Sequence, residues 1–158
     1  MLAIYAEWLN GLEHSWLGHL ARHSAWTFTI ANVLHVLGAA FLVGGIATFD
    51  LAVIRRRFEG AAEIGRVAIP LAAFGLAMQI PTGVVLLAAE ASALGVNPAF
   101  YAKLAFIALG LANLAIFHAR AGRTLRKGML DASAAPFAIV SLIAWVVVLV
   151  AGRMIAYL

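Results

Sequence analysis

One imidazole lies deep inside an apolar stretch of this 158-residue chain. Between His23 and Asp50 there is no Asp, Glu, Lys or Arg, and His35 is the single ionisable group. A titratable ring inside an apolar helix is costly without a partner, so it marks a candidate functional site. Gly38 follows one helical turn later on the same face, with Gly44 and Gly45 two to three turns on. Small residues let another backbone or a flat macrocycle come close. Imidazole is a ligand for haem iron and for copper.

The spacing along the chain suggests what would converge on this ring. His35 lies roughly 10 Å below one end of its span, at about 1.5 Å per residue. Lys103 comes early in a later apolar stretch, Arg153 late in the last one, and Met154 follows it. All sit toward the same side of a bundle of alternating helices. Bound haem b would take His35 as axial ligand, Lys103 and Arg153 against its propionates, and Gly38 to make room for the ring. His19, His23 or Met154 would be the sixth ligand, and the sequence does not choose among them. His118 is excluded as a shared ligand, because its axial separation from His35 is about 20 Å in a bilayer core about 30 Å thick. A copper route is the alternative chemistry, with His35, Met154, His19 and His23 as donors. Simpler readings stand beside both. His35 can donate to a carbonyl of a neighbouring helix, Lys103 can snorkel to the interface, and Arg153 suits a helix C-terminus. His118 at a helix end reads as structural. The glycines alone would serve helix packing, as in an accessory subunit without a cofactor.

The elements that must carry these residues are legible from composition. The chain is 65% hydrophobic and 11% charged, against about 45–50% and about 25% in a soluble domain. It reads as an all-α integral membrane protein. Cysteine is absent, which excludes disulfides, zinc thiolates and cysteine-ligated iron–sulfur clusters. The net charge of +4 does not indicate nucleic acid, since the basic residues flank apolar spans. Spans are expected at about 26–54, 67–89, 99–119 and 132–156, each near the roughly 20 residues a bilayer requires. Residues 58–66 and 90–98 read as loops, and Pro70 and Pro81 fall inside the second span. Residues 1–25 lack the basic leader and cleavage site of a signal peptide. Tyr5, Trp8, Leu9, Leu12 and Trp16 recur there at helical spacing, as in a short amphipathic helix at the membrane interface. A soluble arm docking on a partner is the alternative. Eight of the eleven basic residues fall in the two loops after spans one and three, which places those loops in the cytoplasm and both termini outside. The expectation is an antiparallel four-helix bundle in one domain, in contact with the lipid bilayer and with a larger membrane redox complex or a second copy.

At His35–Gly45 and at Phe100–Phe106, with Asn113–Arg120 beyond, the chain resembles a group of small bacterial membrane proteins. One is the copper-resistance D family, whose first helix has a similar His followed by a Gly-Gly pair. Another is the HemJ-type membrane protoporphyrinogen oxidase, with an early-helix His and an Ala-Lys-Leu-like start to a later helix. An uncharacterised four-span family is similar as well, with its His-x-Leu-Gly motif and a terminal segment like Gly152–Tyr157. The resemblance covers about residues 26–158. It implies a bacterial inner membrane location, and a role for His35 and Lys103 in handling haem or porphyrin. The copper resemblance implies a His/Met metal route. The chain departs from the oxidase in lacking a Pro-Arg after its first helix, and from copper importers in having Met78, Met129 and Met154 scattered.

Overall fold

The computed structural model describes residues 2–55, 58–127 and 129–158. Two short helices, α1 (Leu2–Glu13) and α2 (Trp16–His23), precede four long ones. These are α3 (Ala25–Ile54), α4 (Phe58–Ala89), α6 (Pro98–Arg126) and α7 (Ala135–Met154), with the single turn α5 (Ala91–Leu94) between α4 and α6. A 3-10 turn at Ala132–Ala134 leads into α7, and no strand occurs among the described residues. All four long helices are long and apolar enough to cross a membrane. Large apolar side chains such as Val36, Phe74, Ile80, Ile143 and Val150 point outward from them. In water those faces would be a liability, and against lipid they are the solvent-facing surface.

The seam between α3 and α4 is the closest in the bundle, and glycine makes it so. A Cβ added to Gly45 would lie 2.6 Å from the Ala68 carbonyl oxygen, and one on Gly38 would lie 3.0 Å from the Gly75 carbonyl oxygen. Two backbones meet here because these residues have no side chains. α7 packs on the other side of α3, and α6 packs chiefly on α7. Gly110 of α6 admits the ring of Trp145 from α7, whose Cε2 would be 3.1 Å from an added Cβ.

Three boundaries differ from the sequence expectation. Residues 58–66 form the first turns of α4 instead of a loop, and α6 continues to Arg126 instead of ending near 119. Charged residues mark where a helix leaves the hydrocarbon, but they do not break it, and Glu63 and Arg66 pair along the helix at 3.4 Å. The first span, expected to end near 54, does so with Arg55 as the C-cap of α3; Arg56 and Arg57 lie outside the described residues. Asn97 and Pro98, within the stretch 90–98 expected as a loop, are the N-cap and first residue of α6. The Asn97 side chain accepts from Ala99 N at 2.9 Å and donates to the Ile155 carbonyl at 3.2 Å. One buried amide thus caps α6 and ties it to the end of α7.

The N-terminal segment is two helices, not one. The Ser15 side chain accepts from Gly18 N and starts α2. The pair lies on the end of the bundle that carries the chain termini. Arg22 donates to the carbonyls of Ala89 and Glu13 and pairs with the Glu13 carboxylate. Glu13 in turn accepts from Ser92 N at 2.8 Å. The Tyr101 hydroxyl donates to the Gly95 carbonyl at 2.7 Å, so Tyr5 must be the donor in its 2.8 Å bond to Tyr101. Trp8, Trp16, Trp26 and Tyr157 are all strongly exposed around this end, the position of an interfacial aromatic belt.

Candidate functional site

His35 faces α4 with one ring nitrogen and α6 with the other. Its Nδ1 lies 2.9 Å from Thr82 Oγ1, and its Nε2 lies 3.3 Å from Lys103 Nζ. The tautomer follows from the neighbours. Thr82 has one hydroxyl proton, and it is directed to the Met78 carbonyl at 2.6 Å. Its oxygen can therefore only accept from His35, so Nδ1 carries the proton. Nε2 is left with a lone pair and accepts from the Lys103 ammonium.

Local sequence accounts for each placement. Pro81 has no N–H to offer the turn before it, and the Thr82 hydroxyl bonds to carbonyls of that turn, Met78 and Gln79. The same hydroxyl is then positioned to meet His35. The Gln79 side chain donates across the seam to the His35 carbonyl oxygen, fixing the register of α3 against α4. Gly83 leaves space for the imidazole, since its Cβ would lie 3.3 Å from His35 Cε1. Gly152 of α7 lies beside Lys103, where an added Cβ would be 3.6 Å from Nζ, an ordinary contact.

Of the residues expected at the site, His35 and Lys103 come together and the others serve elsewhere. Gly38 lies in the α3–α4 seam, against Gly75 and Met78. It brings α4 close enough for Thr82 to reach His35. Arg153 turns along its own helix end, donating to the Tyr157 hydroxyl at 2.8 Å with its guanidinium 5.1 Å from that ring. Met154, beside it, is exposed. His19 and His23 stack ring on ring at 4.6 Å on the exposed side of α2. His118 hydrogen-bonds the Leu114 carbonyl of its own helix at 3.0 Å. Among the described residues, no group of three or more His, Cys, Asp or Glu is arranged to hold a metal ion.

The electrostatics of the site are one-sided. Two basic side chains meet within the membrane-spanning part of the bundle. The described ion pairs, Arg22–Glu13 and Arg66–Glu63, involve neither of them. Nearer the termini, bonds from the Ser92 hydroxyl and then its backbone N–H, with Arg22 nearby, hold the Glu13 carboxyl below the usual glutamate range. Sequence reasoning missed Thr82, Gln79, Gly83 and Gly152 as site residues. The one available signal was Thr82 next to a proline in an apolar span. Comparison of the chain with protein-family models, curated proteins and solved structures returns no match.

Proposed function

We propose that the protein is a haem-binding membrane protein acting in electron transfer, alone or as a small subunit of a larger redox complex. The observation that carries this reading is the Thr82–His35 bond. A ligating histidine characteristically donates its second ring N–H to a fixed acceptor, which sets the tautomer and aims the free lone pair. His35 has that arrangement, with Nε2 as the ligating atom. The donor set therefore fits a haem, and the one-sided charge fits it too. Lys103, on a flexible stem, would turn from Nε2 to an acidic group of the incoming ligand. When bound, haem supplies a one-electron couple, whose potential depends on burial and on the hydrogen bonds made by the ligand histidine.

The protein would sit in a bacterial inner membrane with both termini on the outer side, as the basic loops at the opposite end support. Only one imidazole reaches the site among the described residues, which favours a single protein ligand to the iron. Titration of the detergent-purified protein with haem tests the proposal. Saturable binding near one per chain is expected, lost in His35→Ala and weakened in Lys103→Met. Full retention of haem by a folded His35→Ala variant refutes it.

A further inference from the structure

A second constellation lies farther along α3, and the His35 reading does not use it. Asp50 is 4% exposed, and its Oδ2 has no hydrogen-bond partner. Ser141 of α7 stands on the same wall, beside this carboxyl. Asp50 lines a cavity of about 230 Å³ enclosed by residues of α3, α4, α6 and α7. The remaining wall is dominated by apolar and aromatic side chains, Phe49, Phe117, Phe137 and Trp145 among them. The exposed lining residues are Ala73 of α4 and Leu111, Leu114 and His118 of α6, so the cavity opens between those two helices.

Acceptors predominate among the polar groups on its wall. The Asp50 Oδ2 atom is buried without a partner. His118 Nδ1 must donate to the Leu114 carbonyl, which leaves Nε2 for another partner. Asn113 gives one amide N–H to the Phe137 carbonyl at 3.0 Å and keeps its oxygen and its second N–H. A buried acid with an unpartnered oxygen, in a wall rich in acceptors, calls for a ligand that donates and carries positive charge. An unpaired buried carboxylate is expensive inside a membrane protein, and an ammonium group offers three donors and the opposite charge. Aromatic walls favour a cation as well. Size bounds the rest of the ligand. A cavity of about 150 Å³ accommodates benzene, so this one has room for a single ring bearing a short arm. A bare metal ion would leave most of the apolar wall unfilled.

We infer that the Asp50 cavity is a binding site for a small hydrophobic amine, with its ammonium on Asp50 Oδ2 and its apolar body among Phe49, Phe117, Phe137 and Trp145. The site is independent of haem binding at His35.

The test uses calorimetric titration of the full-length, detergent-purified protein at neutral pH. The probes are phenethylamine and its uncharged isostere propylbenzene. Saturable phenethylamine binding is expected, with propylbenzene about tenfold weaker or more. Asp50→Asn keeps the shape and should erase that preference. Ala73→Phe, at an exposed position of the rim, should lower phenethylamine affinity without touching the acid, and it keeps the test readable if Asp50→Asn does not fold. Equal binding of the two probes would mean that the cavity takes any apolar body, a lipid acyl chain included, and would overturn the inference. So would unchanged amine affinity in Asp50→Asn or Ala73→Phe, or no saturable binding to the native chain.

Discussion

Gly44 and Gly45 are chain neighbours, yet only at Gly44 should replacement by alanine stabilise the protein. A Cβ on Gly44 meets nothing within 4 Å, because that residue faces outward. Gly44→Ala therefore gains only the helix preference of alanine over glycine, about 0.8–1 kcal/mol. A Cβ on Gly45 would lie 2.6 Å from the Ala68 carbonyl oxygen and 3.0 Å from Ala72 N. Both atoms belong to the backbone of α4, so neither can swing aside as a side-chain tip would. The helices must part, and overpacking of this kind costs about 1–3 kcal/mol. The propensity gain offsets part of that, leaving Gly45→Ala neutral to about 2 kcal/mol less stable. The two variants should then differ by about 1–3 kcal/mol, the overpacking cost itself. At about 2–4 °C per kcal/mol for a chain of this size, thermal unfolding followed by circular dichroism in one detergent resolves the gap. Gly45→Ala melting at or above Gly44→Ala would refute a backbone-to-backbone seam between α3 and α4.

Thr82→Val keeps the shape of the side chain and removes the acceptor of His35 Nδ1. It should destabilise the protein by about 1–3 kcal/mol, the cost of a buried donor left unpaired. Nitrogen chemical shifts of the His35 ring should change from a single Nδ1–H tautomer to a mixture, and an unchanged pattern would contradict the assignment. Near the termini, Glu13 is held below its ordinary range by Ser92 and Arg22. Its contribution is thus present above the unfolded value near about 4.3 and is lost as pH falls through the lower, folded value. Hydrogen exchange in residues 2–23 should speed up on that acid side. Glu13→Gln should already exchange fast at neutral pH, and an unaltered acid profile in that variant would remove Glu13 as the cause.

The bundle was legible in the sequence because its signals are long and apolar. Four spans separated by charge clusters need little else. Helix ends were less legible. The charges at Glu63, Arg66, Arg120 and Arg123 mark a membrane boundary, and the helices pass through it. The break at Ser15 was hidden because the Tyr5–Trp16 stripe runs across it without a change of period. At the site, sequence gives depth along a helix but not the direction a side chain faces. Depth was enough to pair His35 with Lys103. Direction decided that Arg153 turns to Tyr157 and that Gly38 faces α4. In the sequence Asp50 marks only the edge of an apolar run. Its burial near the end of a 30-residue helix shows that an acid can close a span and still belong to its interior.

The most direct test of the account is a reduced-minus-oxidised visible spectrum of the protein purified from a haem-replete membrane, with iron quantified on the same sample. A haem difference spectrum and about one iron per chain are expected, with both lost in folded His35→Ala. Protein that is folded, colourless and free of iron would contradict it.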